Sequence, residues 1–245
     1  AGGSGAWTPE GGSGRVRLNL ASSRLLHPFA RMVGEVADID LTGRKAAGGL
    51  FQLQGKVRAS NASIDLSGLA NLGKGISGPN GLALKASVVS MMPIVGFPEM
   101  DGGQGTGILR FDPKGWTFIG DATAQRPRIE GYELARVSGR LTLKGDGRNM
   151  TFDVDTQGEG GRGAGLIPAL LGGRPTVLVS GEALADGRTL FRRVDVRGPG
   201  IFVHAEGDRT LLGSLTLKGD GTVSNLAAAS PGASGIVRAT WTASQ

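Results

Sequence analysis

The sequence predicts an all-β protein, an elongated antiparallel sheet with a few short helices. Apolar and polar residues alternate with period two along most of the chain, and Gly-centred turn signals separate the alternating runs. Gly fills 44 of 245 positions, against a usual share of about 7%. Alternation marks a half-buried strand because successive side chains point to opposite faces, and Gly between strands supplies the backbone freedom of tight hairpins. Hydrophobic residues at 39% and aromatics at 5% suit a one-sided sheet better than a thick core.

Taken in order, residues 1–14 are Gly/Ser-rich and linker-like, with Trp7 as the one strong anchor. Residues 15–245 read as a single repeat-built β domain, with a weak division near 100–107. Phe51, Leu53 and Val57 form the first clear apolar face, followed by Ala62, Ile64 and Leu66, then Leu82 and Leu84, then Trp116 and Phe118. In the second half the faces are Leu141 and Leu143; Met150, Phe152 and Val154; Val177 and Val179; Ile201 and Val203; and Leu215 and Leu217. Turn signals such as Gly145-Asp146-Gly147 and Asp186-Gly187 stand between them. The count comes to about 12 to 14 strands. Three interruptions read as short helix or irregular turns: 22–34, opened by Ser and closed by Gly34; 67–77; and 166–173, ended by two glycines. The heptapeptide Leu-Thr-Leu-Lys-Gly-Asp-Gly occurs at 141–147 and again at 215–221, which favours an architecture whose units pack on their neighbours.

The inventory for chemistry is thin. There are no cysteines, so disulfides, thiolate metal sites and cysteine nucleophiles are excluded. The two histidines, His27 and His204, are far apart, and no Gly-x-Ser-x-Gly elbow accompanies either. His204 alternates outward on a strand and reads as a plain surface residue. Asp146-Gly147-Arg148-Asn149 lacks the spacing and closing glutamate of a calcium loop and reads as turn chemistry, while Asp153 and Asp155 read as outward strand acids. The Gly-rich stretch 158–165 follows an alternating strand, not the buried parallel strand of a dinucleotide loop, so it reads as a flexible loop. Tyr132, the one tyrosine, reads as packing at a strand start. No catalytic residue, metal site or cofactor is expected, and the chain reads as a non-enzyme.

Lys and Arg total 27 against 21 Asp and Glu, a formal charge of +6 with a pI near 10.2. The basic residues are spread singly along strands without interleaved exposed aromatics, so nucleic acid is not the expected partner. No run approaches the roughly 18 apolar residues of a membrane helix, and no signal pattern opens the chain. It reads as a piece of a longer protein whose anchor lies elsewhere.

Residues 126–147 (Arg-Pro-Arg-Ile-Glu-Gly-Tyr-Glu-Leu-Ala-Arg-Val-Ser-Gly-Arg-Leu-Thr-Leu-Lys-Gly-Asp-Gly) resemble segments of TamB-like translocation and assembly module proteins of the AsmA-like superfamily. So does the stretch from Asp195 to Gln245, through Val-Arg-Gly-Pro-Gly at 196–200 and Ser-Asn-Leu-Ala-Ala-Ala at 224–229. The resemblance covers roughly residues 110–245, and the first half only loosely. It implies a sheet curled into a taco-like groove with an apolar inner face, in a periplasmic protein anchored to the inner membrane through a part not present here. It further implies that the groove carries phospholipid acyl chains between the two membranes, or assists assembly with an outer-membrane barrel partner of the TamA type. The groove lining would then be Phe51, Leu53, Val57, Leu82, Leu84, Trp116, Phe118, Leu141, Leu143, Met150, Phe152, Val154, Val177, Val179, Ile201, Val203, Leu215 and Leu217. Alternation alone fits a sealed sandwich or barrel equally well. The competing reading is therefore a structural or adhesin-like β-repeat with a sealed core that binds only proteins.

Overall fold

The computed structural model describes residues 2–20, 22, 34–89, 99–229 and 232–244. The chain is all-β, and its main feature is one open antiparallel sheet of fifteen strands. In order these are β1 (Gly2–Thr8), β2 (Gly11–Asn19), β3 (Val36–Lys45), β4 (Phe51–Ala59), β5 (Ala62–Asn71), β6 (Ile76–Val88), β7 (Gly102–Asp112) and β8 (Gly115–Gln125). Two short strands, β9 (Arg128–Ile129) and β10 (Tyr132–Glu133), precede β11 (Arg136–Gly145) and β12 (Met150–Glu159). Then come β13 (Arg162–Gly163), helix α1 (Leu166–Leu171), β14 (Thr176–Ala183), β15 (Thr189–Gly198), β16 (Ile201–Arg209), β17 (Leu215–Val223), the helical turn α2 (Leu226–Ala229) and β18 (Val237–Ser244).

In the main sheet every strand pairs with its predecessor and successor, and β9, β10 and β13 leave it to form a separate three-stranded sheet. β1 and β18 do not pair, so the sheet does not close into a barrel. The ladders are antiparallel throughout, the arrangement that short hairpin turns permit and a coil of parallel strands does not.

The register explains why so long a sheet keeps its two faces apart. One row of opposed residues runs Trp7, Gly12, Gly43, Leu53, Gly68, Leu82, Leu109, Phe118, Leu143, Phe152, Gly181, Phe191, Gly207, Leu217, Ala243. It crosses all fifteen strands without one charged or hydrogen-bonding side chain apart from the Trp7 indole. A parallel row on the other face runs Arg15, Asp40, Lys56, Asp65, Lys85, Thr106, Asp121, Arg140, Asp155, Leu178, Asp195, His204, Asp220, Thr240. Opposite charges alternate along much of it. A one-residue slip in any ladder would exchange the two faces downstream, so burial and charge both hold the register.

Connections are distributed unequally. All the turns on the side of Pro9, Leu72, Pro113, Gly147 and Gly187 are short. The strand ends joined by the longer stretches of chain, 20–35, 89–101, 126–135, 160–175 and 224–236, all lie at the opposite end of the sheet. Two of these stretches build a cap. Tyr132 is buried and its hydroxyl donates to the Gly172 carbonyl at 2.7 Å. Leu134 and Leu170 are buried beside it, and the Gly200 amide donates to the Leu170 carbonyl at 3.0 Å. The main buried cluster is Leu53, Ala70 and Leu82, packed with Leu41, Phe51, Leu66, Leu109 and Phe111 on the face of β3 to β7.

Several sequence expectations are corrected. The linker-like 1–14 contributes β1 and the start of β2, because Gly3, Gly5 and Trp7 fall on the apolar face in register with Val16, Gly14 and Gly12. Residues 67–71 continue β5 as strand, and only 72–75 turn; the irregularity there is a register shift in the β5–β6 ladder between Gly68 and Ala70. Near 100–107, where a weak division is expected, β7 pairs with β6 and β8 from Gly102 onward. The strand count exceeds the expected one, because β1 and the two-residue strands carry too little alternation to be read. Helix 166–173 is present as Leu166–Leu171, ended by Gly172 at φ +66. The helix expected over 22–34 falls almost wholly outside the described residues, as does His27.

Candidate functional site

The strongest candidate is the apolar face itself. All eighteen expected lining residues fall on it, since the register places each of them opposite Gly, Ala, Thr or another apolar residue of the same face, apart from Phe51 opposite Lys45 and Leu215 opposite Arg209 at its edges. Of these, only Leu53 and Leu82 are buried; the others are half-buried. In a sheet covered by a second layer most such positions would be fully enclosed. Among the described residues the main sheet is accompanied only by the short three-stranded sheet of β9, β10 and β13, and Leu134 beside that sheet packs against Gly158 of β12.

Glycine and aromatic residues shape the surface together. A Cβ at Gly43 would stand 2.7 Å from the Trp7 ring, at Gly145 2.6 Å from Trp116, at Gly181 2.6 Å from Phe152, and at Gly219 2.9 Å from Trp241. Each aromatic side chain thus lies over a glycine of a neighbouring strand or, for Trp7, of the strand beyond it, which covers exposed backbone and fixes the ring. Phe118 does the same across Gly107 and Gly120. Between these rings, Gly105, Ala122 and Gly139 form a row of small residues over β7, β8 and β11. Here a recess of about 590 Å³ opens, lined by residues that include Ile64, Leu84, Val88, Phe118, Val137, Leu141 and Leu143. Its residues come from strands as far apart as β5 and β12.

The opposite face is polar and largely ion-paired. Asp40 lies between Arg15 at 2.6 Å and Arg58 at 3.1 Å, Asp38 accepts from Arg17 at 2.7 Å, and Lys218 meets Glu206 at 2.9 Å. These pairs are exposed and each adds little stability. Asp195 differs. It is 3% exposed, the single buried charged residue among those described. Arg193 donates to it from the same strand, and the His204 Nδ1 stands 2.7 Å from its Oδ1 across the β15–β16 ladder. Hydrogen bonding from Arg193, then from His204, holds the Asp195 carboxyl below the usual carboxylate range despite its burial. The β15–β16 register shifts between Phe191 and Val194, so the cluster sits beside a β-bulge. His204 is therefore not a plain surface residue. Alternation gives its face, but only the non-local register shows that Asp195 opposes it.

The other polar candidates have local explanations. Asp146 Oδ1 accepts the amides of Arg148 at 2.8 Å and Asn149 at 2.9 Å, as a turn requires. Asp153 and Asp155 stand on the polar face of β12. Residues 158–165 finish β12, form β13 and lead into α1, with no parallel strand before them. Among the described residues no three His, Asp or Glu side chains converge as a metal site.

No family model, curated protein or solved structure matches this chain.

Proposed function

We propose that the apolar face is a lipid-binding surface, and that the protein is a periplasmic, bridge-like scaffold carrying phospholipid acyl chains along a curled β-groove. The observation that carries this reading is the continuity of one apolar face across fifteen strands, with most of its large side chains only half-buried. Each methylene removed from water is worth about 0.8 kcal/mol. An unbroken apolar track therefore lowers the cost of moving acyl chains through an aqueous gap. The recess bounded by β5 to β12 is what a sheet curling around such a chain would provide. The resemblance of 126–147 and 195–245 to TamB-like proteins adds the rest of the proposal: attachment to the inner membrane through segments outside this chain, delivery toward the outer membrane, and a barrel partner of the TamA type there.

The test is mass spectrometry of the protein purified from a membrane-containing host. Phospholipid should copurify, and Leu143→Glu with Leu217→Glu should remove it while a cooperative thermal transition persists. Undiminished lipid in the double variant, or none in the parent, overturns the proposal. Global unfolding of the variant would instead favour a sealed core.

A further inference from the structure

The apolar face is not evenly filled along β7 and β8. β7 presents Gly103, Gly105 and Gly107 to it, and β8 presents Ala124, Ala122 and Gly120 directly opposite them. The strands on either side carry larger residues at the same levels, Leu84 and Val88 on β6 and Val137 and Leu141 on β11. The recess of about 590 Å³ follows this trough. It therefore runs along the strands, at right angles to the apolar rows that cross the sheet. Gly105 is the telling residue. A Cβ there would meet nothing closer than the Asp121 carbonyl at 3.5 Å, and its φ lies outside the left-handed region. Neither packing nor backbone conformation requires glycine, whereas at Gly139 in the same row a Cβ would strike the Asp155 carbonyl. Glycine inside a strand weakens it, so the small residue at 105 serves the space above it.

The two ends of the trough differ in chemistry. At one end the Phe118 ring lies over Gly107 and Gly120, where an added Cβ would stand 2.5 and 2.8 Å from its Cζ, and fills the trough. At the other end Met100 lines the recess. Glu99 and Asp101, on either side of Met100, hold Arg128 at 3.3 and 2.8 Å, and Arg126 also pairs with Asp101. Hydrocarbon thus bounds one end, and charged groups of both signs flank the other. From Gly103 to Gly107 the trough spans about 13 Å at ~3.3 Å per residue. One leaflet of a bilayer gives its acyl chains about 15 Å, half of the ~30 Å hydrocarbon core.

We propose that this trough is a closed-ended binding slot for one linear acyl chain of an amphiphile. The chain lies along β7 and β8, its methyl end at Phe118 and its polar head beside Met100. The slot rests on the reading of the apolar face as a lipid-binding surface and adds an orientation and a length limit to it. A chain on the continuous track would run from strand to strand and meet no stop. In the slot the chain runs with the strands, Gly105 and Ala122 make the room for it, and Phe118 sets the length accepted.

The test uses the whole chain carrying Trp7→Phe and Trp241→Phe, which leaves Trp116, a lining residue of the recess, as its one tryptophan. Palmitate brominated at its methyl end should quench Trp116 emission, and palmitate brominated beside its carboxylate should not. Gly105→Leu should weaken palmitate binding about tenfold while a cooperative melt persists; if it does not fold, Ala122→Leu takes its place. Phe118→Ala should shift the preference from palmitate toward the longer arachidate, and an unchanged preference overturns the closed end. Equal quenching by the two probes, or parental palmitate affinity in the filled variant, overturns the slot even where phospholipid copurifies with the parent. A parent that neither binds palmitate nor copurifies phospholipid overturns the lipid-binding reading itself. Mass spectrometry of the lipid lost on filling the slot distinguishes a free fatty acid from a phospholipid as the source of the chain, and loss of neither overturns the slot.

Discussion

The heptapeptide Leu-Thr-Leu-Lys-Gly-Asp-Gly folds in two different ways within this one sheet. At 141–147 it ends β11 and enters a turn; at 215–221 it lies wholly inside β17. What the two copies share is the apolar face: Leu141, Leu143, Leu215 and Leu217 all point to it, and the fifth-position glycine lies beneath a tryptophan of the next strand, Trp116 in one case and Trp241 in the other. What differs is set by the residues that follow. Arg148-Asn149 carries on from a turn whose first residue, Asp146, caps their amides, whereas Thr222-Val223 are strand formers that continue the ladder. Side-chain alternation thus fixes the face, and the residues beyond it decide where the strand stops.

The sharpest way to break the equivalence is at the fifth position. A Cβ at Gly219 would strike the His204 backbone carbonyl as well as the Trp241 ring, while at Gly145 the nearest atoms are all of the Trp116 ring. Backbone in a central ladder cannot move aside as a side chain can. Gly219→Ala should therefore destabilise by about 2–4 kcal/mol and Gly145→Ala by about 1–2 kcal/mol, read from urea midpoints. Equal losses would mean that the two glycines serve only their tryptophans.

The seventh position reverses the asymmetry. Gly147 adopts φ +87 with open space around it, so its constraint is conformational. Gly221 has ordinary φ, and its nearest neighbours lie at 3.6 Å. Gly147→Ala should cost about 1 kcal/mol, while Gly221→Ala should be neutral or stabilise by about 0.5 kcal/mol by restricting the unfolded chain. A thermal melt of each variant checks this.

The same contrast shows how far the sequence could be read. The face of every expected lining residue was legible, because alternation is local and survives any choice of partner strand. Trp7 was legible as an anchor, and it does meet Phe51 edge-on at 6.0 Å. The strand around it was not, since Gly2, Gly3, Ser4 and Gly5 have no β propensity of their own and are held only by β2. The bulge at Arg192-Arg193 follows from two neighbouring ladders and has no signature in either strand alone. For the same reason Asp195 and His204 could be assigned to a face but not to each other.

The sixth position gives the smallest effect and the one that depends on pH. Asp146 accepts two backbone amides, and these, led by that of Asn149, hold its carboxyl below the ordinary carboxylate range. A carboxyl depressed in the folded state contributes stability that is present above its unfolded value, about 3.9, and is lost as pH falls through its lower folded value. Asp146→Ala should accordingly lower Tm modestly at neutral pH, and the deficit relative to the parent should shrink in acid as the parent's own carboxyl is protonated. Asp220→Ala is the matched comparison, because Asp220 accepts no hydrogen bond from the described residues and closes no turn. Its removal breaks no such hydrogen bond, so Asp220→Ala should lower Tm at neutral pH by less than Asp146→Ala does. If the two aspartates gave the same acid profile, the turn at 146–149 would not be what separates the two copies of the heptapeptide.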